Sequence, residues 1–155
     1  MIHRNIHFKS AHGLIYKYEL IAKVETQTDI IGRGFEKPYI HLNDHGLLTQ
    51  FPGYRWDGCS GPTIDTEKWN WFHGSTMHAG CAHDGLYQAL RESWMIPQRL
   101  MIEPYYRRFR ELREKSDDLF GKLLKADGVW YPRRKLYHSG VRLFGESSAL
   151  PEKLK

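Results

Sequence analysis

Ser75-Thr76-Met77-His78-Ala79-Gly80-Cys81-Ala82-His83-Asp84-Gly85-Leu86-Tyr87-Gln88-Ala89-Leu90-Arg91-Glu92-Ser93-Trp94 separates two halves of different character. Ser75 is a helix N-cap residue, and His83, Leu86, Tyr87, Leu90 and Trp94 recur at helical spacing. The stretch therefore predicts a helix, with Pro97 at or just beyond its end. Upstream, the residues from Leu14 to Thr28 are rich in Tyr, Ile, Val and Thr, and the alternation Tyr16, Tyr18, Leu20, Ala22, Val24 has the period of one half-buried strand. Tyr39, Ile40 and Leu42, then Asn43-Asp44-His45-Gly46, then Leu47, Leu48 and Phe51 read as a hairpin around a Gly-terminated turn. Pro52 and Gly53 interrupt its second strand, as at a bulge or an edge. Downstream, Pro104 can open a second helix whose apolar stripe runs through Phe109, Leu112, Leu119, Phe120 and Leu123 to Gly128. A third, from about Arg133 to Phe144, stops at Gly145.

These readings give an α+β fold: an N-terminal antiparallel hairpin or small sheet followed by two or three packed helices. With 155 residues, 41% hydrophobic and 26% charged, the chain fits a single domain over 1–155. Residues 1–56 are mainly β, 57–74 form a functional loop, 75–145 are helical and 146–155 form a tail. No run of eighteen apolar residues occurs, so no transmembrane segment is expected. The first twenty residues carry His3, Arg4, His7, Lys9, His12, Lys17 and Glu19, so no export signal is expected either. A net charge of +5 is as ordinary for solubility as for anion binding and indicates no specific nucleic acid partner. Cys59 and Cys81 allow at most one disulfide; without an export signal, two reduced thiols are the default.

The chemically able residues concentrate between Asp57 and Tyr87. Adjacent helical residues diverge by about 100°, so His83 and Asp84 are expected to face different partners. Tyr87, four after His83 and three after Asp84, can return its hydroxyl toward the same pocket.

His83-Asp84-x-x-Tyr87 resembles the core motif of the secreted, calcium-dependent phospholipase A-two superfamily. Asp57-Gly58-Cys59-Ser60 resembles the calcium loop of its bacterial branch, and Asp117-Asp118-Leu119-Phe120 the Asp-x-x-Phe of its second catalytic helix. Over residues 50 to 145 the chain resembles a family of small phage- and prophage-encoded proteins of unknown function. Its pattern matches Asp57 to Pro62, His83 to Tyr87, Asp117 to Phe120 and Val141-Arg142-Leu143-Phe144-Gly145. The resemblance implies a phospholipase A-two-like helical core and a calcium-dependent carboxylic ester hydrolase. His83 would be the general base, Asp117 the acceptor on its other ring nitrogen, and Tyr87 a member of the same site. Asp57, the Gly58 carbonyl and Asp84 would hold calcium, which polarises the ester carbonyl. Asp118 is the fallback partner if the long segment Ile102 to Lys115 keeps Asp117 from His83. The substrate would be a phospholipid or another ester. The place of action would be the host cytoplasm or the virion, since no export signal is expected.

Other readings stand beside this one. The His-Asp pair can hold a loop structurally, and Asp57 to Thr63 can be a demanding turn. A non-catalytic virion or accessory protein would use the scaffold to bind a phage structural protein, with Trp69-Asn70-Trp71-Phe72 and the N-terminal sheet as its interface; that cluster can equally be a lid over the core. His73, His78 and His83 come five apart and make no zinc face, although Cys59 and Cys81 with one His could bind zinc. The His-Asp pair is also shared with metal-dependent phosphohydrolases, which are all-helical. Arg107, Arg108, Arg110 and Arg113 form a basic stripe that reads as a solvated face or a phosphate contact.

Overall fold

The structure is a computed structural model that describes residues 6–11, 16–59, 75–92 and 102–151. Trp69 to Phe72, His73, Trp94 and Pro97, and the part of the 57–74 loop beyond Cys59, lie outside the described residues. Among the described residues seven strands precede four helices: β1 Phe8–Ser10, β2 Tyr18–Leu20, β3 Val24–Gln27, β4 Phe35–Lys37, β5 Ile40–Leu42, β6 Leu47–Gln50, β7 Arg55–Trp56, α1 Met77–Glu92, α2 Tyr105–Ala126, α3 Tyr131–Phe144 and α4 Glu146–Ala149. The fold is α+β, with all strand pairing antiparallel in two small sheets, one ordered β1-β2-β7 and the other β3-β6-β5-β4.

The predicted hairpin is β5–β6, with Leu42 opposite Leu48 and Gly46 at φ +81 closing the turn. A Cβ on Gly46 would lie 2.7 Å from the Thr28 carbonyl oxygen, so both conformation and space demand glycine there. The single strand expected from Leu14 to Thr28 is two strands in different sheets. Tyr18 and Leu20 pair with β1 and β7, whereas Val24 and Thr26 pair with β6. The alternation carries through the break at Ile21 to Lys23, because Leu20 and Val24 both face the core. Pro52 and Gly53 mark neither a bulge nor an edge but the crossing from β6 to β7, where Tyr54 N bonds the Phe51 carbonyl at 3.0 Å. β1 and β4, three residues each, were too short to read from periodicity.

Eleven of the sixteen residues of α1 are buried, which makes it the central helix rather than an amphipathic surface one. Gly80 and Gly85 would cost helix stability in isolation. They are needed because α1 lies close to its neighbours: a Cβ on Gly80 would meet the Cys59 Sγ at 3.2 Å, and one on Gly85 the Gln50 Nε2 at 2.8 Å. Gln50, fully buried, donates from Nε2 to the Cys81 carbonyl at 2.8 Å and ties the four-stranded sheet to α1. Ser75 Oγ accepts from the Met77 amide at 3.2 Å, as expected of a residue capping the first turn.

α2 packs its Leu112, Leu119, Phe120 and Leu123 face inward. α3 begins two residues earlier than expected and buries only Tyr137. The stretch expected to be a tail begins with α4, whose Ala149 is fully buried. Arg113, expected on a solvated stripe, is instead buried: it donates to the carbonyls of Val141 and Arg142 in the last turn of α3 and pairs with Glu146 at 3.3 Å. A cation at that position adds a donor to the carbonyls of the last turn, of which Val141 also accepts the Gly145 amide, and complements the helix dipole.

Candidate functional site

α1 and α2 run antiparallel, since His83 meets Asp117 whereas the earlier His78 meets the later Asp127. Asp117 therefore reaches across the long connection: His83 Nε2 lies 3.0 Å from its Oδ1, and the Tyr87 hydroxyl donates to the same oxygen at 2.7 Å. Asp117 has no exposed surface, and Arg113 Nε stands 3.7 Å from its other oxygen, a buried countercharge. Asp118 points away and takes 2.7 Å and 3.5 Å contacts from Arg142 and His138. The fallback register is thus a surface pair.

Gly145, the last residue of the Val141 to Gly145 motif, is explained by this cluster. A Cβ there would stand 2.3 Å from the Tyr87 oxygen and 2.5 Å from the Val141 carbonyl, so only glycine admits the tyrosine. The same motif supplies the carbonyls that hold Arg113. Arg113 is the site residue that the sequence reading missed, and its i,i+4 spacing to Asp117 was the available signal.

His83, Tyr87, Asp57, Gly58 and Asp84 all line one cavity of ≈ 580 Å³, walled further by Phe120, Tyr137, Val141 and Phe144. His83 Nδ1 is 3.8 Å from Asp84 Oδ1, too long for a hydrogen bond but within electrostatic reach. The two neighbours are thus coupled without forming a bonded dyad. Burial pulls the His83 pKa down, but the bond from Asp117 and the nearby Asp84 outweigh it and hold the ring above its ordinary value. Burial, opposed by His83 and reinforced by Asp57, raises Asp84 to about 6. The Tyr87 hydroxyl is raised well above its usual range by burial and by Asp117, so it acts as a neutral donor.

Asp57 and Asp84, lining one cavity, form the oxygen-rich, anionic set suited to a hard cation. Among the described residues no three His, Cys, Asp or Glu side chains gather as a metal-binding group, so such a cation would rest on Asp57, Asp84, the Gly58 carbonyl and further oxygens. Gly58, at φ +88, packs against the Tyr18 ring, which a Cβ would meet at 2.9 Å. Cys59 and Cys81 are both free. Burial pushes the Cys59 thiol up to about 12, and Cys81 is sealed in the core, so neither suits a zinc site.

Fold and site define a small α+β protein with a His-Asp-Tyr cluster on the wall of a cavity lined by both polar and apolar side chains. Compared with protein-family models, curated proteins and solved structures, the chain gives no match.

Proposed function

We propose that this chain is a phage- or prophage-encoded hydrolase in which His83 activates water against a carboxylic ester, as in the secreted phospholipases A-two that its motifs resemble. The observation that carries the reading is the 3.0 Å contact between His83 Nε2 and a fully buried Asp117, on the wall of a cavity that also holds Asp57 and Asp84. Asp117 holds the Nε2 proton and leaves Nδ1 to accept one from water, a base role worth about two to four powers of ten in rate. Tyr87 fixes the carboxylate that fixes the ring. Asp57, Asp84 and the Gly58 carbonyl would hold calcium, which when bound polarises an ester carbonyl and stabilises its oxyanion. Phe120, Val141 and Phe144 suit an acyl chain, and Leu143 and Phe144, 73% and 77% exposed at the end of α3, suit a lipid surface. Action from the virion or in the host cytoplasm is part of the same proposal.

A second reading is a non-catalytic virion or accessory module that binds a phage structural protein. The raised pKa of His83 favours it, because a charged ring between two carboxylates is a structural ion rather than a base. No helix among the described residues is long and apolar enough to cross a membrane, so either role involves a surface rather than a span. Fatty-acid release from phospholipid vesicles, in calcium and in chelator, separates the two. The hydrolase reading expects calcium-dependent release that His83→Ala abolishes; release that is absent, or indifferent to that substitution, favours the binding module.

A further inference from the structure

The cavity is electrically lopsided along its length. Its wall on α1 carries Asp84, Gln88 and Arg91 at i, i+4 and i+7, one helical face, with Asp84 and Arg91 roughly 10 Å apart along the axis. Its wall also carries Arg55, on β7, and Asp57, the residue just beyond that strand. Gln88, Tyr54 and Arg55 continue into an adjoining cavity of ≈ 490 Å³, so they lie toward that far end. Tyr54 bridges the two ends, within electrostatic reach of both Asp84 and Arg91. One end is therefore acidic, with Asp57 and Asp84, and the other basic, with Arg55 and Arg91.

The basic end keeps its charge. Arg91 donates from Nη1 to the Ser148 carbonyl at 2.6 Å, which orients the guanidinium without neutralising it, and among the described residues no carboxylate lies within ion-pair distance. Arg55 Nε bonds Glu19 at 2.8 Å, but Glu19 also takes Lys9 at 2.9 Å, so one carboxylate is shared between two cations. A guanidinium oriented by a neutral carbonyl and turned along a cavity is suited to an oxyanion in bidentate contact.

We infer that Arg91, supported by Arg55, forms an oxyanion subsite, and that the preferred ligand carries a phosphate or carboxylate about 12 Å from the group held at His83. The identification of that group as an ester rests on the proposed hydrolase reading; the anion subsite does not. A neutral ester fills the apolar wall but leaves Arg91 without a carboxylate partner among the described residues and Arg55 with only its share of Glu19.

Binding of monohexyl phosphate, inorganic phosphate and hexanol to the full-length protein, followed by calorimetry or amide shifts, tests the subsite. Monohexyl phosphate is expected to bind at least about tenfold more tightly than hexanol, with Arg91→Gln removing that advantage and Arg91→Lys restoring part of it. Inorganic phosphate is expected to bind more weakly with the same dependence on Arg91, which separates recognition of the anion from recognition of the chain. His83→Gln is expected to end hydrolysis yet leave the phosphate affinity within about twofold. Arg55→Gln, which leaves the Ser148 bond intact, is expected to weaken phosphate binding severalfold and guards against a folding artefact in Arg91→Gln. Equal affinity for hexanol and hexyl phosphate, or phosphate binding unchanged in a folded Arg91→Gln, overturns the inference. If phosphate binds as expected while no ester is cleaved, the hydrolase reading fails and the subsite stands.

Discussion

The same two antiparallel helices are joined by two His-Asp rungs, His83–Asp117 and His78–Asp127, and the two are built differently. At the first, the ring nitrogen and carboxylate are 3.0 Å apart, Tyr87 adds a 2.7 Å bond, and the histidine faces a cavity. At the second, the separation is 3.9 Å, His78 Nε2 meets Thr26 Oγ1 at 3.0 Å, and His78 is 1% exposed. There neither the His78 Nδ1 nor either Asp127 oxygen has a hydrogen-bond partner. The first rung is a hydrogen-bonded network whose histidine lines a cavity. The second is a seam that closes α1, α2 and β3 together. Residue type alone does not separate chemistry from architecture; the second partner of each carboxylate and the access to the ring do.

The sharpest way to break the comparison is to remove the carboxylates. Asp117→Ala deprives His83 and Tyr87 of their acceptor and leaves Arg113 with Glu146 as its one remaining carboxylate among the described residues, a loss of about 3 kcal/mol. Asp127→Ala removes a carboxylate that accepts no hydrogen bond and is expected to cost less than about 1 kcal/mol. Urea unfolding at pH 7 checks both, and equal costs would contradict the distinction. Gly145→Ala is the next largest, about 2–3 kcal/mol, because its Cβ would meet the Tyr87 hydroxyl and the Val141 carbonyl, which must shift. The seam lies away from Gly145, so the first rung alone should respond, seen as a changed His83 ring resonance beside an unchanged His78.

A smaller effect sharpens the electrostatic side. Asp84 titrates at about 6 when folded against 3.8 ordinarily, so the folded state binds the extra proton between those values. Stability is greatest below the unfolded value and falls as pH rises through 6, by about 3 kcal/mol. Asp84→Asn should flatten that fall and be the more stable protein at pH 8, in thermal melts across pH 4 to 8. A variant no more stable than the parent at pH 8 would show that burial does not hold the Asp84 carboxyl above its ordinary value.

The helical half was largely legible because caps and periodicity are local: Ser75, Pro104 and Gly145 bound α1, α2 and α3 closely. The sheets were less so. Leu20 and Val24 face the same core from different sheets, so their alternation hid the break between them. At the site, His83, Tyr87, Asp117, Asp57 and Asp84 were singled out by motif and do line or support one cavity. Arg113 was hidden among Arg107, Arg108 and Arg110, because only the position of α3 decides which arginine of that stripe turns inward. His78 was passed over for a similar reason, its partners being 49 residues downstream and, in Thr26, on the second sheet. Gly80 and Gly85 weaken the helical pattern on paper, and only the packing of Cys59 and Gln50 against them gives the reason.

The central claim is that the first rung works chemically and the second only holds. Calcium-dependent fatty-acid release from vesicles, measured for wild type, His83→Gln and His78→Gln and divided by the folded fraction of each, tests it most directly. His83→Gln should lose at least about a hundredfold, while His78→Gln, though less stable, should stay within a few-fold per folded molecule. Comparable activity in wild type and His83→Gln, or an equal loss in both variants, would contradict the account.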